Sequence, residues 1–149
     1  MRALRRGRRE EGNAALELVI LAPVILLLIG MVVAAGRIAI ANGSIDAAAR
    51  DAARQASLAR SPQQARSAAV GSAMSALAGD GLSCSPAPAV RTPGIVADFG
   101  VPLGQPASVT VVVVCRVSLS GLVLPGLPGS VPLRYTFTSP LDPFRGRTG

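Results

Sequence analysis

Three side chains in this sequence stand where they could do chemistry. Cys84 and Cys115 are its only cysteines, and they can form one disulfide or remain two buried thiols. Glu17 is the only charge at the edge of a long apolar run. A carboxylate there is costly unless it stays interfacial or finds a cation. Little else qualifies. His is absent, which removes the commonest general base and the commonest neutral metal ligand. Two Cys are too few for a structural zinc site. No phosphate-binding loop, Gly-x-Gly-x-x-Gly or Cys-x-x-Cys motif occurs. Asp80 and Asp98 could be proposed as a carboxylate pair, but nothing in the sequence brings them together. The expectation is a protein that is not an enzyme, with no cofactor and no metal.

Composition points the same way. The chain has 149 residues, enough for one compact domain. Half of it is hydrophobic and only 15% is charged, against about 25% in an average soluble domain. That disfavours an ordinary soluble enzyme, and a disordered tail equally. The net charge of +7 is uneven. The first twelve residues hold Arg2, Arg5, Arg6, Arg8 and Arg9 against Glu10 and Glu11. This basic cluster abuts an apolar run and has no interleaved aromatics, so nucleic acid is not an expected partner.

The apolar run must position Glu17. Leu18 to Ala35 contains neither a charge nor a hydrogen-bonding side chain. As a helix it spans about 27 Å, close to a bilayer core. Pro23 lies inside it, so a kink or a missing hydrogen bond is expected there. By the positive-inside rule the arginine-rich leader stays in the cytoplasm and the C-terminal portion is exported. The expected location is the cell membrane, single-pass. Three readings of the run are open: a signal peptide cut after Ala34-Ala35-Gly36, a plain signal anchor, or a leader processed near its own boundary.

The boundary itself bears on the third reading. Gly12 ends the leader, Asn13 follows, and Glu17 stands five positions after Gly12. This arrangement resembles type IV pilin-like subunits. Gly12-Asn13-Ala14-Ala15-Leu16-Glu17, Leu21-Ala22-Pro23, Gly36-Arg37 and the stretch from Ala47 to Arg54 together resemble the TadE-like proteins. Those are pseudopilin-like components of the tight-adherence (Tad, or Flp) pilus assembly system. The resemblance is close over residues 12–57 and looser toward the C-terminus. It implies cleavage by a prepilin peptidase between Gly12 and Asn13. It also implies pairing of Glu17 with the new amine of a neighbouring subunit. An amine and a carboxylate buried together offset each other's desolvation. Asn13 departs from the small or apolar residue usual after the cleavage point. Other Tad/Flp assembly proteins and the membrane are the implied partners. The competing reading is a signal-anchored extracytoplasmic module, unrelated to pili, that binds cell-envelope polymers through a basic arginine face.

Beyond the run, an α+β fold is expected: the membrane helix continues into an Ala-rich helix, followed by a second helix and a small antiparallel sheet. Ser44 to Ala59 favours helix, with Asn42-Gly43 as a point of local interruption. Asp46 stands four residues before Arg50, the favourable order for an ion pair. Ile45, Ala48, Ala52, Ala56 and Ala59 form a small-residue stripe that could pack on the chain's own domain or on a neighbouring subunit. Ser61, Pro62 and Gln64 read as a helix start, and Gly79-Asp80-Gly81 as its stop near Ala78.

Strands are expected near 94–99, 108–119 and 131–139, the second of them central, with residues 121–132 as a connecting loop. In that central strand Val109, Val111, Val113, Cys115, Val117 and Leu119 share one face; Thr110, Arg116 and Ser118 share the other. In an exported domain of this size one Cys84–Cys115 disulfide is expected, with two free thiols as the alternative. The expected division is a basic cytoplasmic leader over 1–12, a transmembrane helix over 13–41, an Ala-rich helical region over 42–79 and a β-rich extracytoplasmic domain over 80–149.

Overall fold

The computed structural model describes residues 4–119, 129–144 and 146, with residues 4–16 as helix backbone alone. One helix dominates it. α1 runs from Leu4 to Ser57 without interruption, through Pro23 and through Asn42-Gly43. Ala and Leu supply most of its helix propensity. The N–H that Pro23 lacks removes one hydrogen bond, a loss that membrane helices tolerate. Asn42-Gly43 does not break the helix, because the packing that begins at Ala41 outweighs the roughly 1 kcal/mol propensity cost of one glycine. Asp46 and Arg50 form the expected ion pair, with Arg50 Nε donating to Asp46 Oδ1 at 3.1 Å. The Arg50 guanidinium also lies 5.8 Å from the centroid of the Phe137 ring.

α1 ends at Ser57, whose hydroxyl donates to the Arg54 carbonyl at 2.8 Å. α2 follows as Pro62–Gly79. Its start is built as the residues suggest. Ser61 is extended and its Oγ accepts the Gln64 N–H at 3.3 Å, while Pro62 fills a position that needs no donor. The capping box is shifted by one residue. Gln64 Oε1 accepts the N–H of Arg60 rather than that of Ser61. At the other end Gly81 adopts φ +67, and the N–H groups of Gly81 and Leu82 bond to the carbonyls of Ala78 and Leu77. That is a Schellman termination, and its left-handed residue is the glycine that the geometry demands.

The sheet has three antiparallel strands in the order β1 (Ala89–Arg91), β2 (Ala107–Ser118), β3 (Ser130–Leu141). β2 is central, as expected from its valine run. Register pairs Val109 with Ser139, Val113 with Tyr135 and Cys115 with Leu133 on the face turned to the helices. Thr110 and Thr138 pair on the other face, their hydroxyls 2.9 Å apart. Leu119 N–H donates to Gly129 O at 2.9 Å. By antiparallel alternation the even-numbered residues of β3 then turn their backbone groups away from β2. Pro132 and Pro140 are among them, so neither costs a ladder bond.

One strand expectation is overturned. Residues 94–99 do not form a strand; Ile95–Phe99 is a short helix, α3. Gly94 sits at φ +74 as its cap and its carbonyl accepts the Asp98 N–H. The spacing of Ile95 and Phe99 is the physical reason: four residues apart, both reach the core in a helix, while Val96 stays exposed. β1 lies upstream of the expected position. Of the expected loop, residues 121–128 lie outside the described residues, and Val131 and Pro132 belong to β3.

The core lies between α1, α2 and the inner sheet face. Ile45, Ala48, Ala52 and Ala56 on α1 and Ala65, Ala69 and Ala73 on α2 are fully buried, as are Val109, Val111 and Val113. The Ala-rich stripe thus packs on the chain's own domain. Alanines let the two helices and the sheet approach closely, and the bulk comes from the strand valines, Ile95 and Phe99. Ser139 Oγ donates to Ser57 Oγ at 3.1 Å, tying β3 to the end of α1.

Candidate functional site

The residues singled out from the sequence fall at two separate places. Gly12 and Asn13 lie on the backbone of α1 one turn before Glu17. Glu17 is exposed and makes no hydrogen bond or ion pair among the described residues. The helix beyond Glu17 is as bare: Leu18, Val19, Ile20 and Leu21, then Val24 through Ile29, are all exposed. An 18-residue window of this helix is long and apolar enough to cross a membrane, and only 6% of it is buried. A bare apolar face of this length is costly in water and favourable in lipid. Burial begins at Ala34 and becomes continuous from Ala41.

The second place is the disulfide. Cys84 and Cys115 are bonded across a sequence separation of 31, their Cα atoms 5.3 Å apart. Cys115 is buried on the inner face of β2. Cys84 bridges to the end of that strand opposite Val117, and Ser85 N–H donates to Arg116 O at 3.0 Å. The bond therefore ties the segment leaving α2 to the central strand. Both cysteines lie far along the chain from Gly12, Asn13 and Glu17, and the two places do not form one site.

Two features take their residues only from the structure: the arginine face, which the sequence suggested without locating it, and a cleft. Arg91, Arg116 and Arg134 share the outer sheet face, because Arg91 pairs with Val112, Arg134 with Val114 and Arg116 with Pro132. All three are exposed. Only register reveals this grouping. The other is an open cleft of about 340 Å³ between α1, the turn after α2 and the end of β2, to which Arg37 and Asp80 contribute. Its one visible signal was Arg37, the first charge after the apolar run. Elsewhere, burial pushes the Asp98 carboxyl above the usual Asp value. Among the described residues no group of three His, Cys, Asp or Glu side chains could hold a metal ion.

The geometry defines a class of protein: one helix able to serve as a single-pass membrane anchor, carrying a disulfide-bonded α+β domain on its end. Residues 12–54 match the family model of the TadE-like protein, so this segment is TadE-like. The match begins at Gly12 and ends at Arg54, within the buried part of α1. No curated protein and no solved structure matches the chain.

Proposed function

We propose that this chain is a bitopic, pseudopilin-like subunit of a Tad-type (Flp) pilus assembly or secretion machinery. Its role is structural: α1 anchors it and packs in the bilayer, and the α+β domain meets other assembly components outside the cytoplasm. The parts are a cytoplasmic leader (1–12), a membrane helix (13–41), a helical region (42–79) and a β-rich domain (80–149). The observation that carries this reading is that the TadE-like match starts at Gly12 and takes in both Glu17 and the bare apolar helix.

Processing fits the local physics. Hydrolysis of the Gly12–Asn13 bond adds one water, leaving a carboxylate on Gly12 and an amine on Asn13. A peptidase needs that bond extended, so the helix must unwind there. Unwinding at a glycine costs less than at an alanine, by about 1 kcal/mol. Cleavage removes five Arg and two Glu and leaves the new amine at the edge of the apolar run. In the bilayer, Glu17 of a neighbouring subunit is its charge partner.

The test is the N-terminal sequence and intact mass of the mature protein from membranes of its native host. A start at Asn13 is expected. A start at Met1 or Arg2 would remove the processing step, and a start beyond Ala35 would remove the anchor. Glu17→Ala is expected to impair assembly while membrane insertion survives; normal assembly in that variant would sink the amine–carboxylate pairing.

A second reading, an envelope-polymer binding module, has one observation in its favour: the three arginines on the outer sheet face. If it is the correct one, Glu17→Ala is silent and joint replacement of Arg91, Arg116 and Arg134 by Gln abolishes polymer binding.

A further inference from the structure

The open cleft lies at the end of the domain that faces the apolar run. α1 runs along the strands: Ala41 lines the cleft beside Val117, whereas Ser57 meets Ser139 at the far end of the sheet. α2 returns antiparallel to α1, so its terminating turn reaches the same near end. Arg37, Ile40 and Ser44 from α1, Asp80 and Ser83 from the turn, and Val117 from β2 line the cleft.

Two observations give it a ligand. The first is charge. Arg37 and Asp80 line one cleft, yet their side chains pair neither with each other nor with any other described residue. Both side chains are exposed in the cleft and carry opposite charges, which matches a ligand bearing both charges. The second is depth. Arg37 stands two residues past Ala35, which puts its Cα about 3 Å beyond the apolar run, and Ile40 lies about 7–8 Å beyond it. Lipid headgroups occupy a layer of about 5–8 Å on each side of the hydrocarbon core. The lower cleft therefore lies at headgroup level.

We propose that this cleft binds the headgroup of a membrane lipid carrying a phosphate and a primary ammonium. Arg37 takes the phosphate, in the planar bidentate manner that guanidinium favours. Asp80 and the hydroxyl of Ser83 accept from the ammonium. Ile40 and Val117 cover the glycerol end. A lipid held there would join the membrane helix to the domain without any protein partner. The proposal rests on the helix being in a bilayer.

The experiment uses the full chain, purified in detergent, with bound lipid counted by native mass spectrometry. Phosphatidylethanolamine and phosphatidylglycerol of matched acyl chains are the probes. Wild type is expected to retain the former over the latter by about tenfold, the scale of one charge-assisted contact. Asp80→Asn should bring that ratio close to one, and Arg37→Gln should reduce retention of both lipids by about tenfold. Arg54→Gln, on the same helix outside the cleft, should change nothing.

Equal retention of the two lipids by wild type, or an unchanged ratio in Asp80→Asn, would overturn the proposal. O-Phosphoethanolamine is the soluble arm. If it displaces bound lipid at equal concentration, the site serves a free headgroup and the lipid assignment fails. Alkaline extraction of wild-type membranes separates the two levels. Release of the protein by alkali would refute the anchor itself, whereas retention with no lipid preference would refute the cleft alone. Among the described residues the side chains of Asp80 and Arg37 make no hydrogen bond or ion pair, and retention of the disulfide in each variant checks that it folds.

Discussion

The two halves of α1 obey opposite rules within one continuous helix. From Leu18 to Val33, apart from Ala22, Pro23 and Gly30, the side chains are large, apolar and exposed, and no residue of this stretch is buried. From Ala41 to Ala56 the buried positions are almost all alanine. In a water-soluble helix the largest apolar residues would face the core. Here the size order is inverted: small residues meet protein and large ones face outward. The inversion makes sense if the outer medium differs along the helix. Large side chains are favoured where lipid is the solvent, and small ones where two helices and a sheet must approach closely. The border falls between Ala34 and Ala41, the stretch that contains Arg37 and begins the cleft.

The sharpest way to break this comparison is to place the same charge in each half. Ala52→Arg buries an unpaired guanidinium at a position with no exposure. A cost of about 4 kcal/mol or more is expected, enough to unfold the domain, while the chain remains membrane-bound. Leu26→Arg should do the reverse. It should disfavour insertion by about 2.5–3.5 kcal/mol and leave the domain folded. Protease resistance of the domain and alkaline extraction of membranes read the two effects separately. If either substitution caused both defects, the halves would not be independent.

Removing the disulfide sharpens the comparison from the domain side. Replacing Cys84 and Cys115 together by Ser should destabilise the domain by about 3–4 kcal/mol, on the chain-entropy account for a loop of this separation. Membrane insertion should be untouched. Chemical denaturation of the domain followed by circular dichroism, with and without reductant, checks this: reductant should destabilise wild type and leave the double variant unchanged.

How much of this was legible in the sequence depended on the range of the interaction involved. The apolar run, the Asp46–Arg50 pair, the Ser61–Pro62 start and the glycine stop of α2 are all local, and each is where its residues place it. The two faces of β2 also follow from alternation alone, since Val112 and Val114 disturb the polar face without changing its register. The α3 segment was misread because isoleucine, valine and phenylalanine favour strands, while the spacing of Ile95 and Phe99 needs a partner surface before it acts. β1 is three residues long and exists only by pairing with Val112–Val114. The arginine face and the cleft are assembled from three distant segments each, so nothing in the linear order announces them. Of the processing residues, Glu17 was conspicuous by its charge, whereas Gly12 and Asn13 gain meaning only from the leader before them and the run after them.

Acidity is the gentlest way to separate the halves. The run from Leu18 to Ala35 has no ionisable side chain, so pH leaves that run itself unchanged and acts on the domain. Within the domain, burial raises the Asp98 carboxyl above the ordinary Asp value. The native state therefore holds that proton more tightly than the unfolded chain does. Below the unfolded value both states are protonated and the group adds no penalty. As pH rises through the raised native value the charged form must be kept partly buried, and the native state loses stability. The contribution of Asp98 is thus unfavourable at neutral pH and relieved on acidification toward the ordinary Asp value. Asp98→Asn keeps the shape and a hydrogen-bonding oxygen while removing the titration. The variant is expected to be at least as stable as wild type at pH 7. Its stability should depend less steeply on pH than that of wild type in the range above the ordinary Asp value, where the native state still holds the proton that the unfolded chain has lost. The effect is small because the group is only partly buried. Parallel pH profiles in the two proteins, measured by thermal denaturation of the domain, would mean that Asp98 is not the group that titrates there.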